Sequence, residues 1–255
     1  MRFAASAAMT AAATFEFADA ARPAAIGSAP RPIPDPLGGV EAHFAHRGHG
    51  AEFEMEAAWI QQRLPKHASR VLDVGCGSGS LFDWIGRSRV IGLDLCGEGL
   101  SLTRSRRPNV PLLVARGERL PLAGEALDAV TAQHVIEHIP DAERVLREWR
   151  RVLKVGGLLI LLTPNACFCD PSVFADPTHV RIYDRLTLPA TVQRSGLVVD
   201  ELRTLGLPLF RNYRACPGGW RARRMVTRHA QAISSVAGLR WRGQTLCCVA
   251  RRAIQ

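Results

Sequence analysis

Val71-Leu-Asp-Val-Gly-Cys-Gly-Ser-Gly79 is the stretch that decides the fold of this 255-residue chain. Val71 to Val74 is a short apolar run of the kind that forms a strand buried on both faces, and it passes straight into glycines at 75, 77 and 79. Glycine reaches positive φ and carries no Cβ, so this spacing lets the chain turn sharply and leaves bare backbone against which a ligand can lie. The residues that follow read as the start of an amphipathic helix, whose exposed amides would suit a carboxylate or phosphate.

Which ligand is decided by the spacing and by Asp73. The dinucleotide fingerprint is G-x-G-x-x-G, in which the last glycine packs helix on strand and the pyrophosphate meets the helix start. Here the pattern is G-x-G-x-G, and Asp73 sits two residues before the first glycine. A carboxylate there can neutralise an ammonium but repels a pyrophosphate. That favours a nucleoside bearing an amino acid. A second run, Val90-Ile-Gly-Leu-Asp94, ends in a carboxylate 21 residues after Asp73, where an acid can accept from both ribose hydroxyls.

The order downstream extends the pattern. A third apolar run, Val110 to Val114, precedes Arg116-Gly-Glu-Arg-Leu-Pro-Leu122, which puts Glu118 where it can accept from an adenine amino group. Leu127 to Thr131 reads as a fourth strand leading into Gln133-His-Val-Ile-Glu-His-Ile-Pro140. A helix, a Gly156-Gly157 break and a fifth strand ending in Thr163-Pro-Asn165 come next. From Val71 to Asn165, with weaker likeness through Asp176-Pro-Thr-His179 and Tyr183 to Gly196, the chain resembles class I S-adenosyl-L-methionine-dependent methyltransferases. Within that class it is most similar to the small-molecule branch of ubiquinone-type O-methyltransferases and polysaccharide-cluster enzymes. The resemblance implies an α/β fold, a Rossmann-like seven-stranded mostly parallel sheet with helices on both faces and the last strand antiparallel beside the sixth. It also implies S-adenosyl-L-methionine as cofactor, held by Asp73, Gly75, Cys76, Gly77, Gly79, Asp94, Leu95, Glu118, Arg119, Gln133 and His134.

Composition bounds the rest. The length suffices for one α/β core, and residues 41–255 are expected to form a single domain, with an acceptor-side insert at about 205–240. Residues 1–40, rich in Ala and Pro, read as a disordered tail. Met1-Arg-Phe-Ala-Ala-Ser-Ala-Ala faintly resembles a signal peptide, but Glu16 and Asp19 follow closely and only Arg2 charges it. Seven cysteines without a regular framework point to a reducing, cytoplasmic setting. Cys167 and Cys169 share a strand face that could meet a metal with His179, yet lack paired zinc spacing and read as ordinary apolar cysteines. No apolar run is long enough to span a bilayer.

The formal charge of +10 is local: residues 202–255 hold eleven arginines and no acid. Trp220-Arg-Ala-Arg-Arg224 with Arg228 could hold phosphate groups of a lipid- or nucleotide-linked acceptor, an anionic membrane face or RNA, or be a solvated basic surface. His43-Phe-Ala-His-Arg-Gly-His49 matches no zinc pattern and reads as a lid or a solvated segment.

Among the elements, Glu52 to Leu64 is expected as a helix with Phe53, Ala57, Ile60 and Leu64 on one stripe. A second helix, capped by Asp141 and running through Lys154, would bury Val145, Leu146, Trp149, Val152 and Leu153. Leu186 to Ser195 reads as a helix before strands at 197–202 and 244–250.

Methyl transfer from a sulfonium needs mainly an aligned, dry site, because the donor is already activated. A hydroxyl acceptor must also lose its proton, and His134, Glu137, His138 and His179 are the candidates. His134, Glu137 and His138 would share a face if helical, an arrangement suited to a general base or a divalent metal. In ubiquinone-type enzymes the matching stretch starts with an acid and is implicated in metal binding; His134 stands at that position, so no metal is assigned. The expected acceptor is a small molecule or a lipid- or sugar-linked one, phosphorylated or not, methylated on oxygen, nitrogen or carbon. The alternatives are an RNA- or protein-directed methyltransferase docking through its arginines, or a non-catalytic cofactor-binding module. No RNA module or Asn-Pro-Pro-Tyr motif supports the nucleic-acid alternative.

Overall fold

Alternation of apolar residues between two faces builds the sheet and puts a separate core on each side of it. The computed structural model describes residues 50–87, 89–206 and 241–254. In chain order these form α1 (Ala51–Arg63), β1 (Val71–Val74), α2 (Phe82–Ile85), β2 (Val90–Asp94), α3 (Gly97–Arg106), β3 (Leu112–Val114) and β4 (Leu127–Gln133). Then come a 3-10 turn at Ile136–His138, α4 (Ala142–Val152), β5 (Leu153–Pro164), α5 (Ser172–Ala175), α6 (Thr187–Arg194), β6 (Leu197–Leu205) and β7 (Thr245–Arg252).

The seven strands lie in the order β3-β2-β1-β4-β5-β7-β6. β1 to β5 run parallel, and β7 enters antiparallel between β5 and β6. On one face Leu72, Val130, Leu159, Leu161 and Leu246 pack against Val145, Leu146 and Trp149 of α4 and Leu188 and Val192 of α6. On the other, Val71, Ala129, Ile160, Leu162 and Cys247 pack against Trp59 and Ile60 of α1, Phe82 and Ile85 of α2 and Leu100 of α3. Helices therefore cover both faces, as a largely parallel sheet requires. Every residue of β1 is buried, the carboxylate of Asp73 included among three aliphatic side chains.

The seven strands, the antiparallel last strand beside the sixth and the buried helix faces match the expectations drawn from the sequence; several local readings do not. After the glycines the chain makes turns and then the single helical turn of α2, instead of a long amphipathic helix. Asp141 caps α4 through its side chain to the Arg144 amide (3.1 Å), but the helix stops at Val152 and Leu153 already begins β5. Gly156 and Gly157 thus lie inside β5, where the register against β4 jumps from Leu127↔Leu153 to Ala129↔Leu158. The glycine pair absorbs this bulge, with Gly156 at φ +77, and is not a helix–strand connection. β3 starts at Leu112 and not at Val110. The tail over 1–40, the His43 to His49 segment and the arginine cluster at 221–228 lie outside the described residues, as does nearly all of the 205–240 insert.

Candidate active site

The carboxyl ends of β1, β2, β3 and β4 converge where the parallel strand order reverses beside β1, the place where open α/β sheets bind ligands. Gly75, Gly77 and Gly79 all have positive φ (69, 49 and 70). At Gly75 the requirement is double, because a Cβ there would also lie 2.4 Å from Val135 Cγ2. Gly77 is braced from both sides: its amide donates to Asp94 Oδ2 (2.9 Å), and its carbonyl accepts from Thr103 Oγ1 of α3 (2.7 Å). Asp94 Oδ1 accepts from the Cys96 amide (2.9 Å), so one carboxylate ties the glycine turn to the start of α3. Each of its oxygens keeps a second lone pair for an incoming hydroxyl.

Asp73 is buried and takes one hydrogen bond, from Thr131 Oγ1 to Oδ1 (2.9 Å). Burial, reinforced by the charge of Asp94 and opposed by the Thr131 hydroxyl, pushes its carboxyl up to about 7. The buried thiol of Cys76 beside it is pushed far up by burial and by the charges of Asp73 and Asp94, which leaves it unreactive. Asp94 pairs in register with Val114 of β3. Leu95 and Val114 both expose most of their side chains there (62% and 66%), an apolar edge beside Asp94. Glu118 is half-buried and Arg119 exposed in the turn after β3.

The stretch after β4 does not form the helical face expected of it. His134 adopts φ +54, and only Ile136 to His138 make a 3-10 turn. Consequently His134 and His138 point to different surroundings. The His134 ring lies between two carboxylates, with Nε2 3.1 Å from Glu56 Oε2 and Nδ1 3.5 Å from Glu137 Oε1. Burial alone would lower the His134 pKa, but Glu56 and Glu137 together raise it well above the usual imidazole value. Glu56 is buried on α1; burial would raise its pKa, yet His134 and hydrogen bonds from Thr245 and Gln133 bring it below the usual value. Its Oε2 also accepts from Gln133 Nε2 (2.7 Å), and its Oε1 from Thr245 Oγ1 (2.6 Å).

His138 faces the segment after β5. Its Nδ1 lies 3.1 Å from the Thr178 carbonyl oxygen, and its ring centroid 4.7 Å from that of His179. The structure therefore brings together Asp73, the glycine turn and Asp94; Glu118 and Arg119 stand beyond β3; and Glu137, His138 and His179 form a second group. Glu56, Thr131, Thr163 and Thr245 are additional polar residues that sequence reasoning did not single out. Cys167 is exposed and Cys169 buried, and neither belongs to the His-and-acid cluster.

Four likenesses to known proteins bear on this arrangement. A family model described as a methyltransferase domain matches residues 72–161, which spans the glycine turn, Asp94 and the stretch after β4. A probable S-adenosylmethionine-dependent methyltransferase of Mycobacterium tuberculosis is 34% identical over 191 residues, covering 71% of this chain and 67% of that protein. The chain belongs to the S-adenosylmethionine-dependent methyltransferases. Its methyl donor is S-adenosyl-L-methionine. This methyltransferase is also 31% identical over 204 residues to a ubiquinone biosynthesis O-methyltransferase of Paracidovorax citrulli, covering 68% of this chain and 85% of that one. In fold it matches an S-adenosylmethionine-dependent methyltransferase from Mesorhizobium loti with a TM-score of 0.58 at 20% identity, over 80% of this chain and 98% of the other. Among the described residues no helix is long and apolar enough to cross a membrane.

Proposed function

We propose that this methyltransferase transfers the donor methyl to a hydroxyl oxygen of a small-molecule acceptor, and that the crevice at the ends of β1 to β4 is its donor site. The observation that carries the reading is the grouping of Asp73, the Gly75 to Gly79 turn and Asp94 on adjoining strand ends, with Glu137, His138 and His179 grouped just beyond β4. Asp73 neutralises the methionine ammonium, directly or through an ordered water. Asp94 accepts from the ribose hydroxyls. Leu95 and Val114 cover the adenine ring, whose amino group Glu118 accepts; burying two exposed aliphatic side chains contributes on the order of 1–3 kcal/mol to binding. Gln133 and His134 close the methionine end from the side of β4.

His134 serves as a fixed cation and not as the base, because both of its ring nitrogens face carboxylates and it holds its proton. Loss of the acceptor's proton falls instead to the cluster of Glu137, His138 and His179. In-line attack of the oxygen on the methyl carbon then forms the O–C bond as the C–S bond breaks, and S-adenosylhomocysteine leaves as a neutral thioether. Alignment and exclusion of water supply most of the acceleration. The relationship to a ubiquinone biosynthesis O-methyltransferase supports the small-molecule oxygen acceptor. The six described cysteines are unpaired, which supports a reducing, cytoplasmic setting.

Incubation of the protein with methyl-labelled donor and hydroxylated aromatic or lipid-linked acceptors, followed by mass detection, tests this. A product heavier by one methylene with the label on oxygen is expected. Label appearing only on RNA or protein would overturn the acceptor class.

A further inference from the structure

Of the amides at positions 75 to 79, all but one already have acceptors inside the fold. Gly75 and Cys76 donate to the Leu93 carbonyl oxygen (2.7 and 3.0 Å), Gly77 to Asp94 Oδ2 (2.9 Å) and Gly79 to the Cys76 carbonyl oxygen (2.8 Å). The Ser78 amide has no acceptor among the described residues, although Ser78 is only 8% exposed. A donor in so covered a residue is rarely left unpaired, so this amide is suited to an acceptor that a ligand brings.

The peptides on both sides of Ser78 are held by α3. Among the described residues no backbone amide donates to the carbonyls of Gly77 and Ser78; two side chains do so instead. Thr103 Oγ1 donates to the Gly77 carbonyl oxygen (2.7 Å), and Arg107 Nη1 to that of Ser78 (3.0 Å). Thr103 and Arg107 stand four residues apart on one face of α3 and its end, so a single rigid element carries both supports. Carbonyl and amide lie on opposite sides of a trans peptide, so the bond to Gly77 turns the Ser78 N–H away from α3. Thr103 is fully buried, and its methyl lies where a Cβ on Gly79 would come within 3.0 Å. Arg107 is steadied in turn by Asp83 Oδ2 (3.2 Å), with its guanidinium 5.9 Å from the centre of the Phe82 ring.

We propose that Thr103 and Arg107 are positioning residues of the donor site, which hold these two carbonyls so that the Ser78 amide meets the carboxylate at the donor's methionine end. The inference rests on the donor site proposed above. It divides the donor between two supports. Asp94 holds the sugar whether or not an amino acid is attached to it, whereas the Ser78 amide matters only to a ligand with a carboxylate. A bond from an amide to a carboxylate is charge-assisted, so the aim of that amide has a large effect on affinity.

The test compares two ligands by calorimetric titration of the full-length protein: S-adenosylhomocysteine, and methylthioadenosine, a thioether nucleoside that lacks the amino acid and so the carboxylate. Thr103→Val keeps the shape and the methyl and removes only the hydroxyl. It should bind S-adenosylhomocysteine about tenfold more weakly and methylthioadenosine as the wild type does, and Thr103→Ser should restore the loss. Arg107→Leu should show the same selectivity, and it replaces Thr103→Val if circular dichroism finds that variant unfolded. Wild-type affinity for S-adenosylhomocysteine in the folded variants, or an equal loss of both ligands, as a purely structural role would give, would overturn the assignment. Asp94→Ala should weaken both ligands. That loss without one in Thr103→Val and Arg107→Leu removes the positioning role and leaves the donor site standing.

Discussion

Glu56 Oε2 on the first helix lies 3.1 Å from His134 Nε2 at the end of the fourth strand, an ion pair between residues 78 apart in sequence. With Gln133 and Thr245 on the same carboxylate, Glu56 fastens α1 to the ends of β4 and β7. The pair holds His134 charged, and His134 in turn keeps the buried carboxyls of Glu56 and Glu137 ionised.

Glu56→Gln removes one carboxylate from around His134 and should lower its pKa toward the ordinary value. Breaking a buried pair costs several kcal/mol, but the His134 side chain is 36% exposed, so screening reduces the expected loss to about 1–3 kcal/mol. Glu56 is depressed, so its contribution is present above the unfolded value near 4.5 and lost as pH falls through its folded pKa. His134 is raised, so its contribution is complete below about 6.5 and lost as pH rises through its folded pKa. Urea unfolding across pH should show the largest gap between wild type and variant at about pH 4.5–6.5. A gap independent of pH would show that the two charges are not coupled.

Asp73 carries a conflict between stability and function. Its carboxyl is raised from 3.8 to about 7, so the folded protein is penalised progressively as pH rises from about 4 to 7, where the unfolded chain ionises more readily. Asp73→Asn should therefore unfold at higher denaturant than wild type at pH 8, by roughly 1–3 kcal/mol, and match it near pH 4. In the proposed donor site the same variant loses the charge that meets the donor ammonium. Wild-type donor affinity should fall by up to about tenfold per unit below pH 7, and the variant should bind weakly with a flat profile. Calorimetry at pH 6 and 8 reads both.

Gly75→Ala meets two obstacles, φ +69 and Val135 Cγ2 at 2.4 Å from the new methyl. The backbone strain costs about 1 kcal/mol and the overlap about 1–3 more. Val135→Ala clears the overlap and leaves the strain. The double variant should be more stable than the sum of the single losses by at least about 1 kcal/mol in thermal unfolding. Additive losses would place the Val135 methyl elsewhere.

What the sequence made legible was whatever short-range pattern carries. β1 declares itself because four buried residues in a row run into three glycines of positive φ, and α4 because Asp141 and the Val145, Leu146, Trp149 stripe agree. The polar cluster behind the site was hidden because its members are far apart. Glu56 reaches Gln133, His134 and Thr245 across 77, 78 and 189 residues, and on a helix it looks like any solvated acid. Thr131 and Thr163 look like ordinary strand formers, though their hydroxyls serve Asp73 and Glu137. The stretch at 134–138 misled because its spacing fits a helix, while His134 sits in the left-handed region and turns its ring away from His138. Gly156 and Gly157 mark a bulge as readily as a chain break, and only pairing with β4 distinguishes the two.

The central claim is that the donor lies in the crevice at Gly75 to Gly79 with its sugar on Asp94. The direct measurement is calorimetric titration of S-adenosyl-L-methionine into wild type and Asp94→Ala at pH 8, with circular dichroism on both. One site per chain in the wild type and at least about tenfold weaker binding in the folded variant is the predicted result, the scale of losing a charge-assisted hydrogen-bonded contact. Equal affinity in the two proteins, or no binding by the wild type, would contradict it.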